Sequence, residues 1–578
     1  MHCIPRLLRH YNLYPNLSHE SASRAQTVRS EPNAVEQSLS RLKKPMQPRV
    51  AKSLIPINMH ENREISSTPW SDDQGRSAKA TSRTADMYVL EKSDCAVIPV
   101  NQPNKEGQPS AEVGEGRAQT KENIVQSHMH PTQSGKRMSQ GLDGVRKVAK
   151  ERKQERFTAL LHHLNVDLLH DSFYALQRKA SPGVDGVTWQ EYESGLEDRL
   201  VDLHSRVHRG AYRAKPSRRV FIPKADGRQR PLGIAALEDK IVQQAVVTIL
   251  NQIYEVDFKG FSYGFRPGRG PHQALDALTV GIQRKRVNWV LDADIRGFFD
   301  NLSHAWTMKF IEHRVADRRI LRLIRKWLKA GVSEDGQWSE TKLGTPQGAV
   351  ASPLIANVYL HYLFDLWADV WRKKVAEGDV IIVRYADDLV VGFQHRTEAE
   401  RFLKEFRERL AKFGLELHPD KTRLIEFGRF AARDRKARGE GKPETFTFLG
   451  FTHYCGQRHK SGTFTVGRIT AKKRMVAKLK AIKVELQRRM HDRMAEVGAW
   501  LRKVVLGYYQ YHAVPGNTTQ LRIFKLRVCR LWQSVLVRRS QRAKMRWERF
   551  TPVLNRWIPP PRVLHPYPDA RFYATHPS

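Results

Sequence analysis

Two short segments hold the residues best suited to chemistry. IIVRYADDLVVGF, residues 381–393, sets Asp387 beside Asp388 inside an apolar, β-branched run, and NWVLDADIRGFFD, residues 288–300, sets Asp294 in a second such run. The first reads as strand, turn, strand with the aspartates at the tip, and in the second the period of two puts Val290, Asp292 and Asp294 on one face. Carboxylates gathered from neighbouring strands raise one another's pKa, and a hard divalent cation removes the repulsion. The donors are all oxygen, with no His or Cys beside them, so Mg²⁺ is the expected ion. Two such ions about 3.5–4 Å apart serve in-line attack on a phosphate, in nucleases and polymerases alike. YADD alone reads more simply as a polar turn; the second segment shifts the balance.

Other residues bear on whether a nucleotide is held. Lys224 in IPKADG and Arg230 in RQRPLGI flank an Asp226-Gly227 hairpin signal, so both cations can project toward a triphosphate, although a pair of surface cations at a turn is the plainer reading of each. Gln347 in GTPQG offers an amide against a sugar and base. Phe299, five residues after Asp294, can close over a sugar 2′ position, though a phenylalanine beside Phe298 is more often core.

The elements that must position these groups follow from composition and pattern. The 578 residues hold 99 Lys and Arg against 60 Asp and Glu, a formal charge of +39 that points to a polyanionic partner. No apolar run approaches the roughly 18–20 residues of a membrane span, so no membrane partner is expected and the chain reads as a soluble protein. Cys3, Cys95, Cys455 and Cys529 form no CxxC pair, which excludes a zinc ribbon or disulfide framework. Residues 1–134 are rich in Ser, Asn, Gln and Pro and read as a disordered leader, with an organellar transit peptide as the weaker alternative. A hairpin is expected over 218–234, helices over 237–254, 272–282, 303–330, 354–375 and 397–413, a charged linker over 431–443, and short strands from TFTFLGF to about 466. Residues 471–540 read as helical, and 471–550 hold 21 Lys and Arg against 4 Asp and Glu. Tyr508, Tyr509 and Tyr511, with Trp500, can stack RNA bases there, helix core being at least as good a reading for any one of them. Pro559-Pro560-Pro561 opens an irregular tail.

The order of motifs from 222 to 451, namely IPK, RPLGI, SYGFRP, DADIRGFFD, GTPQGAVASPLIANVYL, YADD, HPDKT and FLGF, closely resembles the reverse transcriptases encoded by group II introns. The resemblance runs over about 140–560. It implies an α+β right-hand polymerase: fingers over 135–285, a palm over 286–466 whose antiparallel sheet carries the catalytic carboxylates, a helical thumb or maturase domain over 467–540, and a short basic, Pro-rich segment over 541–578. No C-terminal HNH endonuclease is expected, so a mobile intron would take its primer from elsewhere.

By motif, the resemblance makes Asp294, Asp387 and Asp388 the metal-binding carboxylates, with the Ile295 carbonyl as a further ligand to a pair of Mg²⁺ ions. Asp292 and Asp300 fall outside that register and read as structural or solvent-facing. Lys224 and Arg230 become triphosphate contacts, Gln347 the neighbour of the incoming nucleotide, Phe299 the gate against ribonucleotides, and Lys421 the proton donor to pyrophosphate. Phe448, Leu449, Gly450 and Phe451 resemble the primer grip, and Arg266 an RNA contact. The implied activity is RNA-directed DNA polymerisation joined to maturase binding of the intron RNA. Implied partners are that RNA in a cytoplasmic ribonucleoprotein, a DNA target or primer, and dNTPs, with a dimer left open. The alternatives are a splicing factor with an idle polymerase, and a retron or diversity-generating enzyme, which GYYQYHAVPGN and SPGVDGVT disfavour.

Overall fold

Amphipathic helices gather around a hairpin before the acidic segments arrive. The computed structural model describes residues 133–578 apart from 224–228, 335, 459–460, 540–544 and 576–578, all within one compact unit. The expected leader therefore lies outside the described residues, except that its last two open helix α1, Gln133–Glu151. Helices α2 (Val166–Tyr174) and α3 (Leu196–His208) follow, then strands β1 (Ser217–Pro223) and β2 (Gln229–Ile234) and the long α4 (Leu237–Asp257), against which α1 and α2 pack. Next come α5 (Pro271–Arg284), β3 (Trp289–Asp294), α6 (His304–Glu312) and α7 (Arg318–Lys329). Asp317 caps α7 by accepting from the Arg319 and Ile320 amides, and its other oxygen accepts from Leu160 and Leu161.

The next stretch brings β4 (Val332–Glu334) and β5 (Gln337–Ser339), short strands that the sequence pattern does not announce. Helix α8 (Ser352–Leu360) passes through a π-helical turn, His361–Asp365, into α9 (Leu366–Lys374). Strands β6 (Val380–Tyr385) and β7 (Asp388–Phe393) form the expected hairpin, followed by α10 (Arg396–Lys412) and β8 (Arg423–Glu426). The expected linker at 431–443 instead begins as helix α11, Ala431–Ala437: Ala431 is buried and gives that turn an anchor which charge alone does not reveal. Strands β9 (Phe446–Phe448), β10 (Phe451–Gln457) and β11 (Phe464–Thr470) lead to helices α12 (Lys472–Arg488), α13 (Met494–His512) and α14 (Thr518–Val537). Helix α15 (Trp547–Trp557) buries Phe550 and Leu554 against α13 and α14; the tail that Pro559 opens is irregular through 567, but it then forms α16 (Pro568–Thr575), which returns to pack along α5.

Among the described residues three sheets result, ordered β2-β1-β4-β5, β6-β7-β3-β8 and β11-β10-β9. The middle one is antiparallel throughout, and α5 and α10 pack on it. A single apolar cluster joins α5, this sheet and β9–β11, with Val290, Val383, Val390, Phe446 and Phe451 among its members, while α12–α15 share a second. Helix and strand are thus mixed in an α+β chain. No helix among the described residues is long and apolar enough to cross a membrane.

Candidate active site

Register brings the acidic segments together. β3 and β7 run antiparallel with Asp294 directly opposite Asp388, while β6 and β7 pair Tyr385 with Asp388 and leave Ala386 and Asp387 as a two-residue turn. Like charges facing across strands destabilise a sheet, so this pairing needs compensation. The side chain of Lys421 supplies some, with Nζ 2.9 Å from Asp294 Oδ2. Asp387 is buried, Asp294 and Asp388 are half-buried, and Ile295 is buried in a bridge to Leu417. Asp292, on the same strand face, is pushed up to about 7 by burial, with Arg423 3.9 Å away opposing and Asp294 adding to the rise.

The turn itself is under backbone strain that the surroundings hold. Phe265, Ala386 and Leu449 are the non-glycine residues with positive φ among those described, and Ala386, at 54°, sits in the acidic turn. Arg384, wholly buried on β6, donates from Nη1 to the Ala386 carbonyl at 3.1 Å and to Asn357 Oδ1 at 3.0 Å. Its Nε and Nη2 bind both oxygens of Asp365, which belongs to the π-helical turn. The loop SYGF braces the other side: Tyr263 N donates to Arg384 O, Arg384 N to Phe261 O, and Asn357 Nδ2 to Gly264 O. A Cβ on Gly264 would stand 2.2 Å from the Ala386 nitrogen, so only glycine admits this approach.

A second group gathers around the GTPQG loop. Arg230 Nε donates to Gln347 Oε1 at 2.6 Å, Gln347 Nε2 reaches Asp300 Oδ1 at 3.5 Å, and Gly233 N donates to the Gln347 carbonyl at 2.7 Å. Thr345 N donates to the Phe299 carbonyl, and the Phe299 ring meets Phe265 and Phe298 edge-on. Arg230, Gln347 and Phe299 are therefore neighbours through one loop, although they lie far apart in sequence. Lys224 lies outside the described residues.

Other expected contacts are displaced by burial. Arg266 is 6% exposed, with its guanidinium held by Glu255 and by the carbonyls of Lys259 and Ser262, so it clamps its own loop. Tyr508 and Tyr509 are core residues of the helical cluster; Tyr508 stacks on Phe524 with centroids 3.6 Å apart, leaving no face for a base. Phe448, Leu449, Gly450 and Phe451 are all buried, and what they present is a backbone turn whose Leu449 carbonyl accepts from Tyr511 Oη at 2.8 Å.

Sequence reasoning missed Arg384, Asp365 and Asn357. Arg384 carried a usable signal, a lone cation in an apolar strand next to the acidic turn; Asp365 and Asn357, on a helix, carried none.

The acidic trio offers oxygen donors at a hairpin tip, the donor chemistry that suits a hard divalent cation. As the side chains stand, no group of three or more His, Cys, Asp or Glu among the described residues is placed to hold one, Asp294 being turned to Lys421.

A family model described as reverse transcriptase (RNA-dependent DNA polymerase) matches residues 222–453. Protein YkfC of Escherichia coli is 35% identical over 278 residues, which cover 42% of this chain and 72% of YkfC. The group II intron-encoded protein LtrA of Lactococcus lactis is 35% identical over 224 residues, 38% of this chain and 37% of LtrA. The putative COX1/OXI3 intron 1 protein of Saccharomyces cerevisiae is 26% identical over 306 residues, 45% of this chain and 36% of that protein. The chain thus spans most of YkfC and well under half of the two intron proteins.

Proposed function

The chain belongs to the reverse transcriptase family, in its group II intron-encoded branch, and on that premise we propose that it is an RNA-directed DNA polymerase that also binds its intron RNA as a maturase. The observation that carries the polymerase reading is the register pairing of Asp294 with Asp388 beside Asp387 at a strained turn. In this reading 135–285 act as fingers, 286–466 as palm and 467–540 as thumb. Asp294, Asp387 and Asp388, with the Ile295 carbonyl, would hold two Mg²⁺ ions, which supply charge neutralisation on the transferred phosphoryl group.

The remaining work falls to the chain's own residues. Arg230, with Lys224, binds the triphosphate; Gln347, already hydrogen-bonded to Arg230, orients the nucleotide; Phe299 crowds a 2′-hydroxyl. Lys421 hands a proton to pyrophosphate after leaving Asp294. The net charge supports a nucleic-acid partner.

Purified protein given a primed RNA template, Mg²⁺ and dNTPs is expected to extend the primer. Asp387→Ala should abolish extension and leave RNA binding near wild type. Inactivity of the wild-type protein across salt and template choices overturns the polymerase reading in favour of an RNA-binding splicing factor. Phe299→Val should raise ribonucleotide incorporation.

A further inference from the structure

Away from the acidic sheet, α7 has a face that neither the core nor catalysis uses. Its sequence RRILRLIRKWLK buries Ile320, Leu323, Ile324 and Trp327 and leaves Arg318, Arg322, Arg325 and Lys329 exposed. Spacings of four, three and four residues align these four cations along one side, over roughly 16 Å of helix. The stripe borders an open depression of about 580 Å³ into which Arg156 also projects, from the segment after α1.

Charge in this depression is poorly balanced. Glu312 is the one acid in its lining; its carboxylate pairs with Arg325, and its carbonyl accepts from Arg156 Nε at 3.1 Å. Arg318 and Arg322 form no ion pair among the described residues. Burial, and then the charges of Arg322 and Arg213, depress the pKa of Lys326 on the same helix, as expected where cations crowd without counter-charge. A solvated face can carry such a stripe, but a concave site walled by four guanidinium groups is built to take more than one anionic oxygen.

We propose that the depression walled by Arg156, Arg318, Arg322 and Arg325 binds the phosphate backbone of folded RNA, as a site separate from the catalytic sheet. The choice of RNA rests on the function proposed above. The regular run of cations suits a ligand whose charge repeats along its length, and a backbone-reading site needs no base contacts.

The test uses the full chain and a labelled hairpin RNA of about 20 base pairs, long enough to present successive grooves. Arg318→Gln with Arg322→Gln removes two exposed cations without touching the core. The control, Lys404→Gln with Arg407→Gln on α10, removes the same charge elsewhere on the surface. The α7 pair is expected to weaken binding roughly tenfold to a hundredfold and to lower the slope of log K against log salt by about 2, the control changing little. Extension of a short unstructured primed template should stay at the wild-type rate in both variants, so failure of the polymerase reading shows there and not in the binding curves. Equal losses in both variants, an unchanged salt slope, or loss of binding to polyglutamate with RNA binding intact would each overturn the proposal.

Discussion

Arg384 and Asp365 form a bidentate ion pair, at 2.7 and 2.6 Å, with neither side chain exposed to solvent. Burial pushes the Asp365 carboxyl up, but the charge and hydrogen bonds of Arg384, together with those of His361, hold the group below the usual carboxylate range. The pair fixes the guanidinium whose remaining nitrogen holds the Ala386 carbonyl, so it is a positioning device for the acidic turn. Arg384→Lys keeps the charge and loses the fork. We expect a folded protein whose primer-extension kcat falls about tenfold or more while KM for the template stays near wild type. Asp365→Asn leaves a buried cation short of its partner and should cost on the order of 3–5 kcal/mol in urea unfolding. A stable, fully active Arg384→Met protein would remove the positioning role.

Gly264 and Gly260 make a matched pair for testing close approach. Gly264→Ala drives a Cβ into the backbone of the acidic turn, whereas a Cβ on Gly260 meets nothing within 4 Å. Activity should collapse in the first and survive in the second, with both proteins soluble. Equal tolerance would mean that the SYGF loop does not brace the turn.

Two buried histidines predict acid sensitivity. His453 stacks on Phe446, near Arg468, and His512 lies among Tyr508, Phe451 and Tyr511, near Arg474 and Lys478; burial, with those cations assisting, pushes each down to about 3. The unfolded chain takes up these protons near pH 6.5 and the folded chain does not. Stability is therefore full above about 6.5 and falls as pH drops toward 3, by up to about 1.4 kcal/mol per pH unit for each group. Urea unfolding at pH 7.5 and 5.5 checks this, and His453→Phe should remove its share of the difference.

The returning tail should be separable from the core by charge. Arg571 Nε lies 3.3 Å from Asp276 Oδ2, and Arg468 holds the other oxygen at 2.7 Å. Because Arg468 keeps Asp276 paired, Arg571→Ala should cost only about 1–2 kcal/mol. The larger effect should be faster proteolysis within 559–567. Cleavage at the wild-type rate would show that α16 stays docked without Arg571.

Much of the site's frame was legible because a strand leaves a period of two in sequence: the β6–β7 hairpin and the Asp294 strand could be read from alternation and turn position. What was lost is what depends on burial. Arg266 and Tyr508 have the right chemistry for nucleic acid, and the packing of Glu255 and Phe524 against them occupies it, as burial in the helical cluster does for Tyr509. The end of the tail misled for a related reason, while 559–567 is irregular as read. Three prolines announce an irregular segment, yet tertiary packing overrides that signal a few residues to either side, even with Pro552 inside α15.

Asp276 on α5 must wait for its counter-charges. The second of them, Arg571, lies about 300 residues further along, and at ~5–20 residues per second a ribosome takes on the order of 15–60 s to reach it. During that interval α5 has no α16 to lie against it. Closure of α16 over α5 thus comes only after translation has passed Arg571, and a slowed or stalled ribosome would prolong the interval in which the Asp276 carboxylate lacks its second cation.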